Sequence, residues 1–254
     1  MQQVRKVHLK KFLLIFCILL ALAVSGGGIH LYLSAGDIIK EIVEKVATNA
    51  SDTKVTIDTV DVTIHKGEIS LMGVRVKNAP PFQNSVAIRI DNIELKIKPD
   101  TLTDDVIIID EIRVSGINTR YERDDKLFNV DLIHNKIDSF RKNPDRQRDK
   151  INFNNYYKSL KFIIRNLTLQ GGQISIMSDK IAGKKASLPF PNLNRENFTE
   201  KEEGIALNTA IGEIFGVIID HISASGHSGL RSALERLQPN SKPTDINIPM
   251  DIVK

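Results

Sequence analysis

Residues 53–121 read TKVTIDTVDVTIHKGEISLMGVRVKNAPPFQNSVAIRIDNIELKIKPDTLTDDVIIIDEIRVSGINTRY, and this stretch decides the fold. Val, Ile, Leu and Thr alternate there with polar residues through four runs, the period of strands that bury one face and wet the other. Val55 and Ile57 lead into Val60, Val62 and Ile64, His65-Lys66-Gly67 turns the chain, and Ile69 and Leu71 lead into Val74 and Val76. This is a hairpin pattern. Asn78-Ala79-Pro80-Pro81 interrupts it, because proline cannot donate to a ladder. Ile88, Ile90, Ile93, Leu95 and Ile97 form a third run, ended by Pro99-Asp100. Val106 to Ile109, Ile112, Val114 and Ile117 form a fourth, with Ser115-Gly116 as a bend or turn. Four adjacent antiparallel strands are predicted.

Each run changes parity once, at Asp58-Thr59, Met72-Gly73, Asp91-Asn92 and Asp110-Glu111. Strict alternation would send half of the apolar side chains to the wrong face. A one-residue β-bulge is therefore expected at each site, and with it extra twist and a curved sheet. The alternative is a flatter sheet of shorter strands.

Outward from this stretch, composition sets bounds. The 254 residues are 41% hydrophobic, enough for a real core, which excludes a wholly disordered chain. Of the 35 Lys and Arg, four (Arg5, Lys6, Lys10, Lys11) precede the first acidic residue, Asp37, and the other 31 match the 31 Asp and Glu. The formal charge of +4 is thus an N-terminal cluster, and a basic nucleic-acid footprint is missing.

That cluster (residues 1–11) abuts an almost uncharged run, Phe12 to Leu33, long enough for a bilayer at about 1.5 Å per residue. The charge asymmetry predicts a single-pass signal anchor with a cytoplasmic N-terminus. The rival is a signal peptide cleaved after Ala23, since Ala21-Leu22-Ala23 has peptidase spacing. Cys17, the one cysteine, lies inside the run, which excludes an intrachain disulfide, and Phe16 before it disfavours lipidation. His30 reads as an interfacial ring near the outer end of the span.

Residues 34–50 predict an amphipathic helix, with Ile38, Ile39, Ile42, Val43 and Val46 on the face that lies against the sheet. Val130, Leu132, Ile133, Ile137 and Phe140 predict a second helix with Asn129 as N-cap, followed by a charged exposed loop over 141–150. Leu160, Phe162 and Ile164 flip parity at Arg165-Asn166 into Leu167 and Leu169, Gly171-Gly172 reads as a turn, and Ile174 and Ile176 return. One short strand is expected near Ala186 to Phe190. From Ile205 the period becomes 3.6, with Leu207, Ile211, Ile214, Phe215, Ile218 and Ile222 forming a stripe. Ser223 to Gly229 reads as a break before a short further helix. The expected fold is α+β, mainly β: an antiparallel sheet of about seven or eight strands with a few amphipathic helices. Its main unit spans 51–190, followed by a linker at 191–203, helices over 204–237 and a tail over 238–254.

No catalytic or metal constellation emerges. His221 and His227 are six apart, not a helical ligand pair. Gly171-Gly172 lacks the lysine of a phosphate loop. The carboxylate pairs Asp104-Asp105 and Asp110-Glu111 point to opposite faces if extended. The sequons at Asn49, Asn166 and Asn197 bear only on a eukaryotic secretory protein. Neither an enzyme nor a cofactor is expected.

The string GEISLMGVRVKNAPPF, followed by AIRIDNIELKIKPDTLTDDVIIIDEIRVSGINTRYE, resembles the N-terminal module of the AsmA-like proteins of the bacterial envelope. The residues that carry the resemblance are Gly67, Gly73, Asn78, Pro80, Phe82, Ile93, Thr101, Leu102, Ile109, Ile112, Gly116, Tyr121 and Glu122. The turn departs from the family by reading Asn-Ala-Pro-Pro-Phe. The similarity covers about residues 30–134 and continues more weakly to about 224. It implies an inner-membrane anchor with the bulk of the chain in the periplasm. It also implies a likeness to repeating β-groove lipid-transfer proteins and a role in outer-membrane biogenesis or phospholipid movement, with envelope protein partners.

On that reading Val60, Val62, Ile64, Ile69, Leu71, Val74, Val76, Ile93, Leu95 and Ile97 line an apolar groove that contacts acyl chains. Strands about 4.8 Å apart give a groove only about 35 to 40 Å long, enough to hold a lipid but not to bridge two membranes. The alternative is a scaffold subunit whose apolar face docks another protein.

Overall fold

The computed structural model describes residues 35–80, 82, 85–124, 127–142, 160–177, 185–199 and 202–237. The apolar run at 12–33 and the tail at 238–254 lie outside them. Among the described residues no helix is long and apolar enough to cross a membrane.

The strands are β1 (Val55–Thr56), β2 (Thr59–Thr63), β3 (Glu68–Lys77), β4 (Val86–Ile97), β5 (Val106–Asp124), β6 (Leu127–Phe128), β7 (Lys161–Met177), β8 (Lys185–Pro189), β9 (Leu193–Glu196) and β10 (Ile205–Ala206). Helix α1 spans 35–51, α2 Asn129–Lys142 and α3 Leu207–Leu237. The protein is α+β and mainly β, as its alternation predicts, but among the described residues the sheet has ten strands and is mixed rather than antiparallel. The antiparallel block β2-β3-β4-β5 holds. Beyond it β7 pairs with β5 in parallel over nearly its whole length, from Val106↔Lys161 to Glu122↔Met177. A parallel pair needs a long crossover, and the chain between β5 and β7 supplies one that includes α2.

Gly171-Gly172 is not a hairpin turn: β7 runs through it for 17 residues. Nor does Ser115-Gly116 end β5, which is 19 residues long. On the far edge of β7, β8, β9 and β10 follow one another as a single broken antiparallel strand, so the stretch expected as a linker contributes a ladder at Leu193–Glu196.

The parity changes have a common origin. Across Met72↔Asn92 and Val74↔Ile90, then Ile90↔Ile117 and Asn92↔Ser115, then Ser115↔Gln170 and Ile117↔Gly172, one rung is skipped at the same level each time. Asp58, Gly73, Asp91, Gly116 and Gly171 thus form a row across the sheet where neighbouring strands flip together. The register is preserved there, which corrects the expectation of an extra residue in each strand. Gly73 (φ 67) and Gly116 (φ 69) sit in the left-handed region. A Cβ on either would collide with the carboxylate of Asp58 or Asp91. A second row passes through Asp110 and Arg165, which pair at 2.6 Å. Here β4 and β5 do shift register, between Lys96↔Glu111 and Ile97↔Ile109, and Asp110 is the extra residue.

These flips keep one face apolar. On the other, ion pairs such as Arg113–Glu111 along β5 at 2.6 Å and Lys96–Glu111 between β4 and β5 at 3.1 Å face solvent. Lys96's hydrogen bond leads the interactions that hold the Glu111 carboxyl below its ordinary range. Val130, Ile133, Ile137 and Phe140 of α2 and Phe215, Ile218, Ile219 and Ile222 of α3 are buried in the same core cluster as the apolar face. Each such side chain contributes about 1.5 to 3 kcal/mol. Helix α3 continues unbroken through Ser223 to Gly229, because Gly226 packs on the Tyr121 ring and Gly229 on Leu188.

Helix α1 follows the sheet edge. Lys40 donates to Asp58 O at 3.0 Å, Glu44 Oε1 accepts from Ile57 N at 2.6 Å, and Thr48 Oγ1 accepts from Val55 N at 3.0 Å. The four-residue spacing puts all three on one stripe that satisfies edge groups otherwise open to pairing.

Candidate functional site: a half-covered apolar strip

The ten residues expected to line a groove divide into two groups. Val74 (4% exposed), Val76 (0%), Leu71 (4%) and Ile97 (9%) are core. Val76 lies in the fully buried half of the sheet with Ile88, Ile90, Ile117, Ile174 and Ile176, roofed by the helices. These four are closed into the core cluster and are not a lining. Val60, Val62, Ile69, Ile93 and Leu95 remain half-buried and Ile64 is 44% exposed. The register joins them: Val60↔Leu71↔Ile93 and Val62↔Ile69↔Leu95. They form a contiguous strip at the end of the sheet that carries the β2–β3 turn.

The helices are incompletely buried at the same end. Ile38, Ile39, Ile42 and Val43 in the first half of α1 are half-buried, whereas Val46, Ala47 and Ala50 in its second half are buried. In α3, Leu207, Ile211 and Ile214 are half-buried, whereas every residue from Phe215 to Ile219 is buried. Apolar coverage therefore falls along the strand axis. This gradient is invisible in sequence, because periodicity assigns a face but not the length of helix above it.

Three polar clusters were not anticipated. Asp131 Oδ1 on α2 accepts from Tyr121 Oη at 3.0 Å and Ser223 Oγ at 3.1 Å, and His227 Nε2 lies 3.2 Å away. Tyr121 Oη and His227 Nε2 are 2.9 Å apart. Burial, reinforced by the Asp131 charge, pushes the Tyr121 hydroxyl far above its ordinary pKa, so it stays a donor. This is not a nucleophile relay. Ser223 and His227 address the same carboxylate oxygen, and the buried Nδ1 of His227 has no partner among the described residues. The i, i+4 spacing of Ser223 and His227 was the available signal, and reading a helix break there hid it.

Asn129 is likewise not a simple N-cap. Its Oδ1 accepts from Glu122 N at 2.9 Å, and its Nδ2 donates to Arg120 O at 2.7 Å and Asn78 Oδ1 at 3.0 Å, which fastens α2 to β5 and to the β3–β4 turn.

His134, Asp138 and Asp220 gather close enough to ligate a cation, but Arg141 is already among them. Its Nη1 lies 3.0 Å from Asp220 and 3.5 Å from Asp138, and its Nη2 3.1 Å from Glu213. The guanidinium neutralises the cluster, and a metal would have to displace it. Beside these clusters lies an open cleft of about 1100 Å³ between α1, β1 and α2. Glu41, Glu44 and Asp52 balance Lys45, Lys54 and Lys136 around it, and Lys136 is spent on Asp52 at 2.7 Å. No single ligand charge is favoured there.

The chain matches no protein-family model and no curated protein.

Proposed function

We propose that this chain is a membrane-anchored, non-enzymatic protein of AsmA type in the bacterial envelope. It sits in the inner membrane through residues 12–33, with the bulk of the chain in the periplasm, and handles phospholipid or another acyl-chain lipid with partner proteins. The observation that carries this reading is the strip Val60, Val62, Ile64, Ile69, Ile93 and Leu95. Apolar side chains left half-covered on an otherwise well-packed face mark an interaction surface. The polar clusters leave room for it: Tyr121, Ser223 and His227 converge on Asp131 with only the Nδ1 of His227 unpartnered among the described residues, and Arg141 fills the space between His134, Asp138 and Asp220. No cofactor or nucleic acid enters the account.

Mass spectrometry of the protein purified in a lipid-exchangeable detergent tests this directly, with phospholipid retained above the level carried by a single-span control. Loss of that excess in an Ile69→Asp, Leu95→Asp variant that remains folded is expected, and no excess in the parent chain contradicts the reading.

A second reading is favoured by one observation. Leu71, Val74, Val76 and Ile97 are closed into the core, so the open strip is short, and a helix of another envelope protein would fill it as well as an acyl chain. A stoichiometric co-purifying protein with no retained lipid supports that scaffold role.

A further inference from the structure

The direction of α1 fixes which end of the domain lies nearest the apolar run at 12–33. Thr48, Glu44 and Lys40 meet Val55, Ile57 and Asp58 in turn, and Gly36 lies against Val60 O. Read backwards, α1 heads along β2 toward Thr63 and the Ile64–Gly67 turn. The chain therefore joins the apolar run at the end of the sheet where coverage is poorest. Ile64, one of two large apolar residues that stand exposed among the described residues, is at the tip of that end, and Leu102 and Phe162 there are half-buried. Leu127, the other, belongs to β6 beside Arg123 and Asp124, at the opposite end of β5. Nineteen residues of β5 separate the two ends, about 60 Å at strand rise.

We propose that the Ile64–Gly67 turn and the half-covered strip behind it form a bilayer-contact surface, with the domain standing on the membrane by this end. The occupant is the acyl and interfacial region of the bilayer that holds residues 12–33. Charge does not select an anionic surface. His65, Lys66, Lys96 and Lys98 at this end are offset by Asp100, Asp104, Asp105, Glu202 and Glu203, so burial of apolar surface supplies the attraction. The inference rests on the anchor in the proposed function and adds the orientation of the domain on it.

The test uses the full chain with Cys17→Ser, reconstituted in phosphatidylcholine nanodiscs and carrying a nitroxide at Ile64→Cys or Leu127→Cys. At position 64 relaxation by oxygen should exceed relaxation by a water-soluble nickel chelate severalfold, and at position 127 the order should reverse. Equal nickel accessibility at the two positions overturns the proposal, as does a label at 64 shielded from both reagents, which would mean that protein covers the turn. The arms separate from the lipid-handling reading: lipid retained by the strip with an aqueous position 64 sinks only the seating, whereas a membrane-embedded position 64 without retained lipid sinks only the groove.

Discussion

Asp220 of α3 is held on both oxygens by α2: His134 Nε2 lies 3.0 Å from Oδ1 and Arg141 Nη1 lies 3.0 Å from Oδ2. The hydrogen bond to Asp220 raises the His134 pKa above 6.5. For Asp220, burial pulls upward, but the His134 bond and the Arg141 charge outweigh it and the pKa falls below 3.8. A raised histidine stabilises fully below its unfolded pKa and loses that contribution as pH rises through the folded value. A depressed carboxyl stabilises above its unfolded pKa and loses it as pH falls through the folded value. The seam should be strongest from the unfolded Asp value up to the unfolded His value. The melting-temperature gap between the parent and His134→Gln should narrow as pH rises from 6 to 9, and a constant gap would show that the pair carries no titrating contribution.

Asp131 accepts from Tyr121 and Ser223 in a buried setting, so Asp131→Leu strands several polar groups at once. Each unsatisfied group costs about 1 to 3 kcal/mol, whereas Tyr121→Phe removes one donor and leaves acceptors that Ser223 and His227 still serve. Urea unfolding should show Asp131→Leu as much the more damaging of the two. Equal losses would mean that the knot is open to water.

Gly116→Ala forces a side chain into φ 69 and against Asp91. The left-handed backbone alone costs about 1 to 2 kcal/mol, and the collision adds to it. Asp91→Gly in the same chain should recover the collision part and leave the backbone part, as measured by the urea midpoint. A neutral Gly116→Ala would mean that the row of flips is not fixed there.

Phe215 of α3 is 7% exposed in the core cluster, so Phe215→Asp should unfold the domain or lower its melting temperature severely. An unchanged melting temperature would place the stripe against a partner instead.

Alternation read the antiparallel block correctly because each half-buried strand there carries its own period, and Gly67 (φ 66) does close the β2–β3 turn. The parallel β5–β7 pair was not legible. Its crossover includes α2, and alternation fixes which face a strand buries, not which neighbour it pairs with. Gly116 and Gly171 misled for one physical reason: a glycine that lets a strand change parity in step with its neighbour looks, in one chain, like a glycine that ends it. Ser223, Gly226 and Gly229 misled because packing against Asp131, Tyr121 and Leu188 overrides their low helix preference. Of the candidate site, the face was readable and the coverage was not, so Val74 and Val76 were grouped with Ile69 and Leu95.

Leu95 and Glu94 are adjacent on β4 with opposite facings, one in the strip and one beside Arg113 on the polar face. A photo-reactive side chain at each position of the full chain, irradiated in cells, tests the central claim most directly. Lipid adducts at position 95 with none at position 94 are the predicted result; protein adducts alone at 95, or equal lipid labelling at both, would contradict it.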